Sequence, residues 1–167
     1  MPPLPVMICG LVMILGFHSA LALAACSSPP LTQRFVRQGP YIKDLTNAIL
    51  WQRCPIGSPW HSQQGCRGHA EHHTLHHAHQ LAQQKGTGWR LPTIDELFSL
   101  VDPSCGQPAI NTQIFPQTRA GEEAFFWSNS PVEEIPGLVY AIHFKQGDVD
   151  GHTPDFPLAV RLVRDIP

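Results

Sequence analysis

Six histidines, His69, His72, His73, His76, His77 and His79, crowd into one short stretch of this chain. Neutral imidazole is a ligand for Zn²⁺, Ni²⁺ and Cu²⁺, and on a helix the pairs His69/His73, His72/His76 and His73/His77 would each set two ring nitrogens on one face. At about 100° per residue all six fall on one half of a helix over residues 68–84, with Ala70, Thr74, Leu75, Ala78, Leu81 and Ala82 on the other half. The pattern predicts a helix that packs through alanine and leucine and shows histidine to solvent. Such a face offers two or three ligands per ion, and the nearby carboxylate, Glu71, lies on the opposite half. An exposed polar face without a dedicated metal is the plainer reading. Below about pH 6 the face would turn cationic and attract sulfated or carboxylated polysaccharide.

Two further groups could bind something. Sugar rings stack on exposed indoles, and the chain has Trp51, Trp60, Trp89 and Trp127. Trp89 beside Arg90 and Trp127 within a strand-like run read as core; Trp60, in a loop between two cysteines, is the candidate ligand contact. Asp148, Asp150 and Asp155 alternate with Gly147 and Gly151 in an oxygen-rich loop that could hold Ca²⁺, although solvated turn acids are the simpler account. Local sequence pairs no cysteine with a histidine as nucleophile and base, so no catalytic residue is assigned and a non-enzymatic role is expected. Zn²⁺ and Ca²⁺ are the cofactors these residues could hold, neither being required.

Residues 1–25 carry no charged side chain, and their apolar run ends in Leu23-Ala24-Ala25-Cys26. This reads as a lipoprotein signal in which Cys26 takes the lipid and residues 26–33 form a tether. Cleavage after Ala22 or Ala24 without lipidation, or an uncleaved anchor, are the alternatives; the positively charged start of a signal peptide is missing. All three place the domain, residues 34–167, outside the cytoplasm: lipid-anchored at the outer membrane or periplasmic, otherwise secreted. In that oxidising setting Cys54 and Cys66 are expected to close a small Pro/Gly-rich loop. Cys54 with Cys105 is the alternative pair, and Cys26 could pair with Cys105 if it is not lipidated. Net charge is −2, and the 11 basic residues are scattered, which excludes a nucleic-acid footprint.

The elements that must position these groups are short. Strands are expected over 34–37, 41–43 and 49–51, then a cysteine-stapled loop, the helix over 68–84, and a second helix over 93–101. Thr93 and Glu96 form a capping box behind Pro92, and Ile94, Leu97, Phe98 and Val101 give that helix a buried face. Arg90 is expected to pair with Glu96 or Asp102. Residues 103–124 look irregular. Strands follow over 125–128, 138–144 and 158–163, with a hairpin turn at Gln146-Gly147.

Taken in order, Trp51-Gln52-Arg53-Cys54, Gly57, Trp60, Cys66, Gly68, Trp89-Arg90-Leu91-Pro92-Thr93, Glu96, Pro108-Ala109-Ile110-Asn111, Phe115-Pro116, Phe126-Trp127-Ser128 and the closing Val160-Arg161-Leu162-Val163-Arg164 resemble the Lcl C-terminal domain family. The helix start is also similar to that of formylglycine-generating sulfatase modifiers. The resemblance implies an α+β domain of C-type lectin-like topology, with short antiparallel sheets, two helices and long loops. It implies an envelope or cell-surface binding module whose partner is a polysaccharide or glycan, the membrane being reached through the lipid anchor. An envelope metal-binding protein using the histidine face, or a subunit that docks on another envelope protein, are the other readings. The lectin calcium tripeptides and the paired catalytic cysteines of the modifiers have no counterpart here.

Overall fold

The computed structural model describes residues 33–116 and 125–166. The signal segment, Cys26 and tether residues 26–32 lie outside the described residues, as does the part of the expected irregular region beyond residue 116. The fold is α+β. Its elements run β1 (Phe35–Gln38), β2 (Tyr41–Asp44), β3 (Ile49–Gln52), β4 (Trp60–His61), β5 (Gly65–Cys66), β6 (His72–His73), α1 (Leu75–Lys85), β7 (Trp89–Arg90) and α2 (Ile94–Phe98), then β8 (Phe125–Pro131), β9 (Val139–His143), β10 (Asp148–His152), β11 (Leu158–Ala159) and β12 (Val163–Asp165).

Two five-stranded sheets result, ordered β1-β2-β3-β12-β7 and β10-β9-β8-β11-β6, with β4 and β5 forming a small separate ribbon. In the first, the C-terminal β12 inserts between β3 and β7, so both ends of the domain share one sheet. In the second, β8, β9 and β10 form an antiparallel meander, and β11 runs parallel to β8. Strand periodicity explains the core. Successive side chains point to opposite faces: Phe126 and Ile142 enter one hydrophobic cluster with Trp51, Leu97 and Phe115, while Trp127 and Ala141 enter another with Ala78, Ala82 and Leu91. The meander is thus covered on both sides.

The expected single strand over 158–163 is two strands in two sheets. Residues 158–163 are all buried, Arg161 among them, as strand segments covered on both faces are. Between β11 and β12 the chain changes sheet, and its carbonyls are taken by Ile56 N–H (to Val160) and Gln52 N–H (to Leu162). Arg161 sits at this crossing, fully buried, and donates to the carbonyls of Gln52 and Arg53.

The second helix starts as expected and ends sooner. Thr93 Oγ1 accepts from Glu96 N–H at 3.1 Å, and Glu96 Oε2 accepts from Thr93 N–H at 2.7 Å. Leu97 is buried, but Phe98, the last residue of the helix, is exposed, contrary to the expected buried face. Arg90 makes a two-pronged pair with Glu96 at 2.8 and 2.7 Å and a second pair with Asp165 at 2.6 Å, whereas Asp102 caps the short 3-10 turn Pro103–Cys105. Among the described residues no helix is long and apolar enough to cross a membrane.

Candidate functional site

The histidine stretch is not one helix. α1 begins at Leu75, so His76, His77 and His79 are helical while His69, His72 and His73 precede it. Tertiary hydrogen bonds override the local period. Glu71 N–H donates to the Ile56 carbonyl, and His72 and His73 pair as β6 with Ala159 and Leu158. Thr74 is the N-cap, its hydroxyl accepting from His77 N–H at 3.3 Å. The helix packs through Ala78 and Ala82, as its composition predicts, but the expected six-histidine face is not built. The pairs His69/His73 and His72/His76 lose their helical spacing; His73 and His77 are the two of the six whose ring nitrogens meet, Nδ1 to Nδ1 at 3.1 Å.

That corner is held firmly. The indole Nε1–H of the fully buried Trp127 donates to the His73 carbonyl at 2.8 Å. Glu71 Oε2 stands 3.3 Å from His73 Nε2, an ion-pair contact without the geometry of a hydrogen bond. Gly57 leaves room for this approach: with φ at +85°, it lies where a Cβ would come within 2.6 Å of Glu71 Cγ. Burial, then the neighbouring His77, pulls the His73 pKa below the usual imidazole value, with Glu71 opposing. His73 therefore stays neutral further into acid than an exposed histidine, which weakens the expected cationic switch of this segment.

Trp51 and Trp127 are core at 0% exposure, and Trp89, half-buried like Trp60, packs one side against the second core cluster as expected. Trp60 lies on β4 with the Arg53 guanidinium 4.0 Å from its ring centroid, so a cation already occupies one of its faces. Trp89 stacks at a tilt on Tyr41, centroids 5.2 Å apart, with Lys85 Nζ 5.6 Å from Trp89 and 5.7 Å from Tyr41, and with Arg164 5.5 Å from Trp89. β12 places Arg164 opposite Trp89, and α1 ends at Lys85 beside them. Local sequence hid this grouping because its four members come from four elements.

The acidic loop is a strand. Asp148 and Asp150 lie two apart on β10, both exposed, paired with His143 and Ala141 of β9, and Asp150 Oδ1 accepts from Gly151 N–H. Two carboxylates on an extended backbone fall short of the six to eight oxygens of a Ca²⁺ site, and among the described residues no group of three or more His, Cys, Asp or Glu is placed to hold an ion. Gly147 makes the hairpin turn, packed so closely on Val101 that a Cβ would lie 2.7 Å from it. Cys54 and Cys66 are bonded, closing a loop of sequence separation 12, worth about 3 kcal/mol by loop entropy. Cys105 is disulfide-bonded too.

The described surface belongs to a small, disulfide-stapled α+β domain bearing aromatic and cationic groups. Residues 40–164, well over half of the chain, match the family described as Lcl C-terminal domain, and the chain belongs to that family. Membership is consistent with a cell-surface module. No curated protein matches the sequence.

Proposed function

We propose that this domain is a non-enzymatic binding module of the cell envelope or surface, and that its ligand is a polysaccharide carrying carboxylate or sulfate groups. The observation that carries the reading is the Tyr41–Trp89 pair flanked by Lys85 and Arg164. Indole and phenol faces stack on the apolar face of a sugar ring, and the two cations match the acidic substituents. Arg53 on Trp60, with Arg37 beside it, repeats the combination on a smaller scale, both arginines donating to the Gln113 carbonyl at 3.4 Å. The C-type lectin-like relationship forms part of this proposal, and the pairing of β3 with β12 supports it. A signal-directed location outside the cytoplasm is also part of the proposal. There the lipid on Cys26 competes with a Cys26–Cys105 bond for one sulfur, and the intact mass of the mature protein distinguishes the two.

The test is a glycan array probed with untagged protein at neutral pH with chelator present, followed by titration of the best acidic polysaccharide. Selective binding that falls at least tenfold in Trp89→Ala, and that weakens in Lys85→Glu with a shallower salt dependence, supports the reading. A blank array, or binding indifferent to both substitutions in folded protein, overturns it.

A further inference from the structure

We propose that His73 and His77 form a two-nitrogen chelate for a late first-row divalent cation, Cu²⁺ ahead of Ni²⁺ and Zn²⁺, with Glu71 as the carboxylate behind His73. With metal–nitrogen distances of about 2.0–2.1 Å, the 3.1 Å separation of the two Nδ1 atoms subtends an angle of about 98° at the metal. That lies nearer the right angle of square-planar or octahedral coordination than the tetrahedral angle, which favours Cu²⁺ and Ni²⁺ over Zn²⁺, as does the general order of affinity.

The backbone that carries the two ligands is already held in place. His73 is fixed by the β6–β11 pairing and by the Trp127 indole on its carbonyl, and His77 by the Thr74 cap at the start of α1. The Glu71 carboxylate, 3.3 Å from His73 Nε2 though without hydrogen-bond geometry, favours by charge alone the tautomer with its proton on that nitrogen, which leaves Nδ1, 3.1 Å from His77 Nδ1, free to bind a metal. A carboxylate on the far nitrogen of a ligating histidine orients the ring and raises its basicity, and losing such a partner costs about 10- to 100-fold in metal affinity. Since among the described residues no third ligand converges, water or a donor from a bound molecule completes the coordination. The other histidines do not share this arrangement. His76 Nε2 contacts the Gln80 side chain at 3.0 Å, and His69 and His72 are exposed on extended chain ahead of the helix.

The experiment is titration of untagged protein with Cu²⁺ against a competing chelator at neutral pH, read by affinity and by the nitrogen couplings in its electron paramagnetic resonance spectrum. The expected result is one equivalent held at least tenfold more tightly than the next, with two coupled nitrogens. His77→Asn, at an exposed helix position that leaves the fold intact, should abolish that class and one coupling; Glu71→Gln should weaken it about tenfold; His69→Asn and His76→Asn should leave it within twofold. If His77→Asn retains the tight equivalent, or if His69→Asn and His76→Asn reduce it as much, the ion is bound diffusely by surface imidazole and the proposal is overturned.

Discussion

Arg90 lies half-buried at the edge of the first sheet with two carboxylates around it, while Arg161 lies fully buried at the crossing between sheets, where its acceptors are backbone carbonyls. Around Arg90 the hydrogen bonds it donates to Glu96 raise the guanidinium pKa further, burial opposing. Around Arg161 burial lowers it to about 9, which still leaves a cation at neutral pH, set between the rings of Phe115 and Phe126. The first arginine ties a helix start to the C-terminal strand through charges that water partly screens. The second ties the end of β3 to the chain crossing through a guanidinium that has no access to water. Losing a partner is therefore far more damaging at the second site.

Arg161→Ala should show this most strongly. It leaves the carbonyls of Gln52 and Arg53 without this donor and opens a space beside Phe115 and Phe126, a loss of about 3–5 kcal/mol. Urea denaturation measures it, and Arg161→Met, which keeps the volume but not the donors, should recover part of the loss. Equal stability of Arg161→Met and the parent protein would mean that the carbonyl contacts contribute nothing net. Glu96→Ala should cost about 1–2 kcal/mol, since it removes one half of the capping box together with the Arg90 pair. A loss as large as that of Arg161→Ala would erase the contrast between the two arginines.

The smallest effect concerns a third arginine, Arg34, which pairs with the fully buried Asp44 at 3.1 and 2.7 Å. Burial alone raises the Asp44 pKa, but the Arg34 pair and the N–H groups of Asn47 and Thr46 outweigh it, and the net shift is downward. A carboxyl with a lowered folded pKa contributes stability that is fully present above its unfolded value of about 3.9 and is lost as pH falls through the folded value. Thermal unfolding from pH 7 to pH 2 should therefore show an acid limb below about pH 4 that is shallower in Asp44→Asn. An unchanged limb would place the acid sensitivity elsewhere.

What could be read from sequence follows the range of the interactions. The capping box, the Gln146-Gly147 turn and the first three strands depend on neighbours a few residues away, and each formed where the residues indicate. The Cys54–Cys66 bridge was legible for the same reason, being a short loop rich in turn residues. The histidine stretch has helical periodicity as clear as any in the chain. Nevertheless its first half is extended, because the 71–73 backbone finds partners in Ile56 and β11. Periodicity reports which face could be buried and carries no information about which strand edge lies nearby.

The sequence by itself determined an α+β domain of the Lcl C-terminal family, its cap and its bridge, since these rest on residue type, local spacing and motif order. Tertiary structure alone decided that the run over 158–163 serves two sheets, that half-buried Trp89 is grouped with Tyr41, Lys85 and Arg164, and that of the three expected histidine pairs His73/His77 is the one built. Those outcomes depend on backbone donors and acceptors distant in sequence being satisfied together. Each buried N–H or carbonyl left unpaired costs more than a local helical preference returns.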